Sequence, residues 1–192
     1  MRNHTLKMSY SAPLLKLSCD HTKGIVDEEM LEYHTQLVRD ADLFVYGRKT
    51  YQLMVPYWPD VAKNHSGQTE AGNKFAQAFD SIRKIIVFSK TLDKAGGKNT
   101  EIVRTNLKDE ILKLKQEQGK SILTGGADIP SQLIQLGLVD EYHIVVHPVI
   151  AGEGRRLLEG ISLAFAAVFL SKIGKGYVES GKSVLTTGCT FA

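Results

Sequence analysis

Three short segments combine small residues, hydroxyls and cations in a way suited to holding an anion: Gly47-Arg48-Lys49-Thr50, Ser89-Lys90-Thr91 and Gly125-Gly126-Ala127-Asp128. In the last of them two glycines lead into a helix that Asp128 is expected to cap. Such a turn exposes main-chain N–H groups at a helix N-terminus, where donors and dipole favour a phosphate or pyrophosphate. The same glycines also suit a strand-to-helix turn that needs positive φ, and spacing alone leaves both readings open. Gly47-Arg48-Lys49-Thr50 adds fixed positive charge, and a guanidinium suits bidentate phosphate contact; by itself it reads as a solvated helix start. Ser89-Lys90-Thr91 reads alike as a further phosphate contact or an exposed turn. The conjunction of all three at strand ends points to a long, multi-phosphate ligand such as a dinucleotide. No Lys-Ser/Thr pair follows the glycines, which excludes a P-loop, and a full Gly-x-Gly-x-x-Gly fingerprint is missing.

The remaining chemistry-bearing residues point to binding. His143 and His147 share one strand face without an evident third ligand, so packing explains them more simply than a metal. Tyr57 and Trp58 suit stacking on a flat heterocycle or pinning a loop. Gly152-Glu153-Gly154-Arg155-Arg156 suits a substrate mouth or a solvated turn. No Ser/His/Asp or Cys/His nucleophile set is present. The residues therefore argue for binding and orientation, with the hard chemistry left to a cofactor.

Behind these segments stand short apolar runs that read as buried strands: Asp42–Tyr46, Lys84–Phe88, Thr100–Arg104, Ser121–Thr124 and Glu141–Ile150. Leu6–Ser11 or Leu14–Ser18 supplies the first strand. Helical spacing runs from Asp27 to Arg39 through Met30, Tyr33, His34, Leu37 and Val38, and again over Glu70–Phe79. Leu107–Gln118 turns Ile111, Leu112 and Leu114 inward. After Asp128, Pro130 falls in the first helical turn and Gly137 closes the helix. A short helix with Thr50, Tyr51 and Met54 leads into an expected polar loop, Val55–Thr69, and Gly174-Lys175-Gly176 reads as a hairpin turn. The order is mostly βαβ, ending in antiparallel β: an α/β fold with a mixed, mostly parallel sheet and helices on both faces. Ligands of such sheets sit outside the carboxyl ends of the strands.

The bulk properties fit. The 192 residues, 43% hydrophobic and 23% charged, suit one ordered domain. A net charge of +3 is too small for a nucleic-acid binder. Cys19 and Cys189 lie far apart, no run approaches a bilayer crossing, and no secretory pattern opens the chain, so a cytoplasmic setting is expected.

The stretches DLFVYGRKTYQLMVPYW (42–58), KIIVFSKTLD (84–93) and ILTGGADIPSQLIQLGLVDEYHIVVHPVIAGEG (122–154) resemble the dihydrofolate-reductase-like superfamily. The nearest branch is that of the reductase domain of the bifunctional riboflavin-biosynthesis deaminase-reductase. The resemblance covers about residues 27–160. It implies a single-domain dihydrofolate-reductase-like fold with an antiparallel C-terminal hairpin, NADPH as hydride donor, a small nitrogen heterocycle as acceptor, and a homodimer. By position, Gly47, Arg48, Lys49 and Thr50 would lie along the cofactor phosphates. Ser89, Lys90 and Thr91 would approach the adenosine 2′-phosphate, and Gly125, Gly126, Ala127 and Asp128 would cradle the pyrophosphate and ribose. The substrate would meet Tyr51, Met54, Trp58, Gly152 and Glu153. Relatives carry Ser-Leu-Asp-Gly after the first strand. Here Ser18-Cys19-Asp20-His21 keeps the acid, making Asp20 the candidate proton donor beside a bound water. The alternative register, Ser9–Leu14, has no acid and agrees better with the distance back from Asp27. A homologue that binds nucleotide without catalysis, and a structural dimer with an empty cleft, are the rival readings.

Overall fold

The computed structural model describes residues 3–13, 28–97, 99–147, 177–179 and 182–188. Strand β1 (Thr5–Pro13) is followed by α1 (Glu28–Arg39), β2 (Leu43–Gly47), α2 (Arg48–Asn64), α3 (Glu70–Asp80) and β3 (Lys84–Phe88). Then come β4 (Thr100–Val103), α4 (Leu107–Gln116), β5 (Ser121–Thr124), α5 (Asp128–Gln135) and β6 (Glu141–His147), with β7 (Tyr177–Glu179) and β8 (Lys182–Gly188) beyond them. The strands lie in the order β4-β3-β2-β5-β1-β6-β8-β7. All pairs from β4 to β6 are parallel, while β8 runs antiparallel to β6 and β7 antiparallel to β8.

Alternation along the strands divides the core between two faces. Leu6, Met8, Leu43, Val45, Ile86 and Ile122 pack with Ile111, Leu114, Leu133 and Ile134, the buried sides of α4 and α5. Phe44, Tyr46, Ile85, Val87 and Leu123 face the other way. They meet Leu37 and Val38 of α1, Tyr51 and Val55 of α2, and Phe75 and Phe79 of α3. Both faces are thus covered, as the near-continuous apolar strands require.

The largest departure from the expected elements is α2. The polar loop expected over Val55–Thr69 is helical as far as Asn64, with Pro56 and Pro59 inside the helix. Each proline removes one backbone bond at a cost of about 3 kcal/mol. Burial of Tyr51, Val55 and Val61, and the Trp58 ring 4.6 Å from that of Phe75, outweigh that penalty. The helix stops at His65, which takes left-handed φ 49°. Three smaller corrections concern helix detail. Asp128 is the first helical residue and not the cap, which is Ala127. Leu112 is 39% exposed and faces away from the core, and α4 ends at Gln116. Gly137, φ 66°, does close α5. Its amide reaches Ile134 O at 3.0 Å, and that of Leu138 reaches Leu133 O at 3.0 Å, a Schellman ending. Leu14–Ser18, residues 148–150 of the expected last strand, and the turn at Gly174-Lys175-Gly176 lie outside the described residues.

Candidate active site

Because β3, β2 and β5 are parallel neighbours, the turns that leave them emerge side by side at one edge of the sheet. Two of the three are packed into each other. Gly126 has φ 88°, and a Cβ there would fall 2.2 Å from Thr50 Oγ1. A Cβ on Gly47 would lie 3.2 Å from Ile129 Cγ1. Residues 47–50 and 125–129 therefore form a single seam that needs glycine at 126 and is tight at 47. Only the second glycine of the Gly125-Gly126 pair uses positive φ; Gly125 instead leaves room beside Ser9 O, 3.5 Å from the position of a Cβ, and Tyr46 Cε1, 3.8 Å from it. Below the seam, Thr124 Oγ1 donates to Val45 O (2.8 Å) and ties β5 to β2 in the buried interior.

Both helices start there without a side-chain cap: α2 from Gly47 (φ −81°, ψ 162°) and α5 from Ala127. Their first-turn amides are donors that no capping side chain satisfies. Arg48, Lys49 and Asp128 are exposed around them, and the Arg48 guanidinium donates to Gln52 Oε1 at 3.2 Å.

The third turn is built differently. Ser89 donates its amide to Val103 O (3.2 Å), while its Oγ accepts from the amides of Thr91 (3.2 Å) and Leu92 (3.0 Å). Lys90 and Thr91 project outward. Arg104, just beyond β4, donates from Nη2 to Leu92 O at 2.7 Å and holds the turn from the neighbouring strand end. The sequence places Arg104 as the last residue of the expected strand Thr100–Arg104, but β4 ends one residue earlier, at Val103, and frees this cation to reach the neighbouring turn.

Of the residues expected to meet substrate, Tyr51, Met54 and Trp58 share one apolar cluster. Met54 is half-buried against the α1–α3 side of the sheet. Tyr51 is buried, and its hydroxyl accepts the Gly96 amide at 2.8 Å. Trp58 packs edge-on to Phe75 and Tyr57. Asp20, Gly152 and Glu153 lie outside the described residues. Elsewhere, a cavity of about 590 Å³ lies between α2, α3 and the start of β3, bordered by Val55, Lys63, Phe79, Gly97 and Asn99. It sits at the amino ends of β3 and β4, away from the seam. No cluster of His, Cys, Asp or Glu among the described residues has the makings of a metal site, and no helix among them is long and apolar enough to cross a membrane.

This strand order, with glycine-bearing turns at the carboxyl ends of β2 and β5, defines an α/β domain of dihydrofolate-reductase type. A family model described as the RibD C-terminal domain matches residues 17–178, and the chain belongs to that family. It is 36% identical over 124 residues to the uncharacterized protein YyaP of Bacillus subtilis, a match spanning 64% of this chain and 62% of that relative. Among solved structures it is similar to a putative riboflavin biosynthesis protein from Shewanella sp. PV-4, with TM-score 0.58, 17% identity, and 97% and 98% of the two chains covered. It is also similar to the diaminohydroxyphosphoribosylaminopyrimidine deaminase/5-amino-6-(5-phosphoribosylamino)uracil reductase of Thermotoga maritima. There the TM-score is 0.62 and the identity 15%, over 97% of this chain and 57% of that one. The protein thus has the reductase-type fold of the RibD C-terminal domain.

Proposed function

We propose that the protein is an NADPH-dependent reductase of a small nitrogen heterocycle, working as a single domain within a cytoplasmic homodimer. The observation that carries this reading is the seam at Thr50 and Gly126, where two helices present uncapped first turns beside exposed cations. Gly47, Arg48, Lys49 and Thr50 hold one phosphate, and Gly125, Gly126, Ala127 and Asp128 hold the pyrophosphate and its ribose. Ser89, Lys90 and Thr91, joined by Arg104, take the 2′-phosphate, which favours NADPH over NADH. When bound, the reduced nicotinamide supplies hydride to a C=N or C=O carbon. The chain's own part is to bring the partners together, shed water and orient them. Met54 borders the substrate, together with Tyr51 and Trp58 as second-layer support. The 5-amino-6-(5-phosphoribosylamino)uracil named for the Thermotoga protein, a pterin and dihydrofolate are the substrates to try.

The test is a fluorescence titration with NADPH and NADH, followed by assays of cofactor oxidation with each substrate. NADPH is expected to bind more tightly than NADH, and one heterocycle to drive its oxidation. Absence of NADPH binding at millimolar concentration overturns the reading.

A further inference from the structure

On the sheet face covered by α1, β6 and β1 carry a chain of polar groups that the cofactor seam does not use. His143 is buried, with Nδ1 2.7 Å from the Tyr33 hydroxyl and Nε2 2.7 Å from Glu141 Oε1. Glu141 Oε2 in turn pairs with Lys7 Nζ at 3.2 Å. Polar groups this deep in a core carry a desolvation cost that plain apolar packing would have avoided. The arrangement has one consistent proton inventory when the imidazole is neutral. Nε2 carries its proton beside the Glu141 carboxylate, in charge contact but out of line for a hydrogen bond, and Nδ1 accepts from the Tyr33 O–H.

Its location relates it to the seam. β1 lies between β5 and β6, and His143 pairs in register with Ser9. The Ser9 carbonyl is the group that meets the space beside Gly125 at 3.5 Å. His143 and Gly125 are therefore at one level of the sheet, two strand spacings or roughly 10 Å apart. That is the span of a bicyclic heterocycle. Tyr33, half-buried on α1, packs against the same apolar cluster as Met54 and Tyr46.

We propose that Tyr33, wired to Glu141 through His143, delivers the proton that the reduction requires. This rests on the reductase reading above. Hydride addition to a C=N carbon sends the π pair to nitrogen, and that nitrogen takes the phenolic proton of Tyr33. The phenolate oxygen takes the Nδ1 proton of a His143 imidazolium, leaving a neutral imidazole whose Nε2–H stays beside the Glu141 charge. Solvent restores the lost proton. Tyr33 is the catalytic residue, and His143 and Glu141 act through it as positioning residues. Burial, and then the Glu141 charge, raise the Tyr33 phenol to about 12, which keeps it protonated until the imidazolium backs it. Among the described residues, the titratable groups facing His143 are Glu141 on its own strand, Lys7 on β1, and Tyr33 and His34 on α1. Burial lowers the His143 pKa, Lys7 and His34 act in the same direction, and Glu141 opposes them. Turnover should therefore fall as pH rises through the His143 titration.

The experiment combines three readouts on wild type, Tyr33→Phe and Glu141→Gln: NADPH titration, the pH profile of NADPH oxidation with the phosphoribosylaminouracil or dihydrofolate, and ring ¹⁵N NMR of His143. Tyr33→Phe is expected to bind NADPH as wild type does yet turn over about 100-fold more slowly. Glu141→Gln is expected to shift both the His143 ring titration and the basic limb of the profile to lower pH, because Glu141 holds the imidazole pKa up. Wild-type protein that fails to bind NADPH, or binds it and turns over neither substrate, overturns the reductase reading and the relay with it. Turnover that Tyr33→Phe leaves intact, or a profile unmoved while the His143 titration shifts, overturns the relay alone.

Discussion

Among the helix starts whose capping residue is described, two kinds stand side by side. At α4, which leaves the sheet after β4, Asn106 Oδ1 accepts the amides of Lys108 (2.8 Å) and Asp109 (3.4 Å). At α3, Thr69 Oγ1 accepts from Gly72 at 3.1 Å. At α2 and α5, the corresponding positions are Gly47 and Ala127, which have no side-chain oxygen, and the two starts lean on each other at Thr50 and Gly126. A cap contributes about 1 kcal/mol, and these two neighbouring starts both do without it. The difference is understandable if an outside anion completes the second pair of helices.

That contrast can be broken in graded steps. The largest effect is expected from Gly126→Val. Its φ of 88° and the 2.2 Å approach to Thr50 Oγ1 leave no room for a side chain. NADPH affinity should drop by at least two orders of magnitude, with a stability loss of roughly 1–3 kcal/mol in chemical denaturation. Gly47→Asp places an internal carboxylate where a cap would sit. It should weaken NADPH binding at least about tenfold by competing for the same amides and repelling phosphate, an effect calorimetry would resolve. Lys90→Ala should cut NADPH affinity several-fold, leave NADH nearly untouched, and flatten the salt dependence of the titration. Asn106→Ala is the converse control: stability falls by about 1 kcal/mol and the cofactor isotherm does not move.

The smallest effect concerns the amino end of the central strand β1, where the buried ring of His4 has no partner on either nitrogen. Burial lowers its pKa from 6.5, more strongly than Asp42 and Glu117 raise it, while Arg83 adds to the lowering. The folded state thus holds the neutral ring, and the unfolded chain binds the proton more readily. Stability is complete above about pH 6.5 and declines as pH falls below it. A plot of melting temperature against pH should be flatter on the acid side in His4→Gln.

Much of this organisation is legible in the residues themselves. Apolar runs such as Lys84–Phe88 and Ser121–Thr124 are strands because β-branched residues there are buried on both faces. The glycine after α5 and the second glycine after β5 mark turns whose positive φ favours such residues. The extent of α2 was not legible, since Pro56 and Pro59 signal a break locally and only Phe75 and the sheet beneath, distant in sequence, hold the helix through them. Nor was the Tyr33–His143 contact, made across 110 positions. Two histidines on one strand give no hint of which neighbour each will meet. Arg104 was hidden for the same reason, being significant only once β4 is known to lie beside β3.

The most direct test of the account is a backbone ¹⁵N–¹H NMR titration with NADPH. Saturable shifts should be concentrated at residues 47–50, 89–91, 104 and 125–128, the uncapped helix starts moving most while the amides of Lys108 and Asp109 stay still. No shift at millimolar cofactor, or shifts centred on Val55, Gly97 and Asn99 around the opposite cavity, would contradict it.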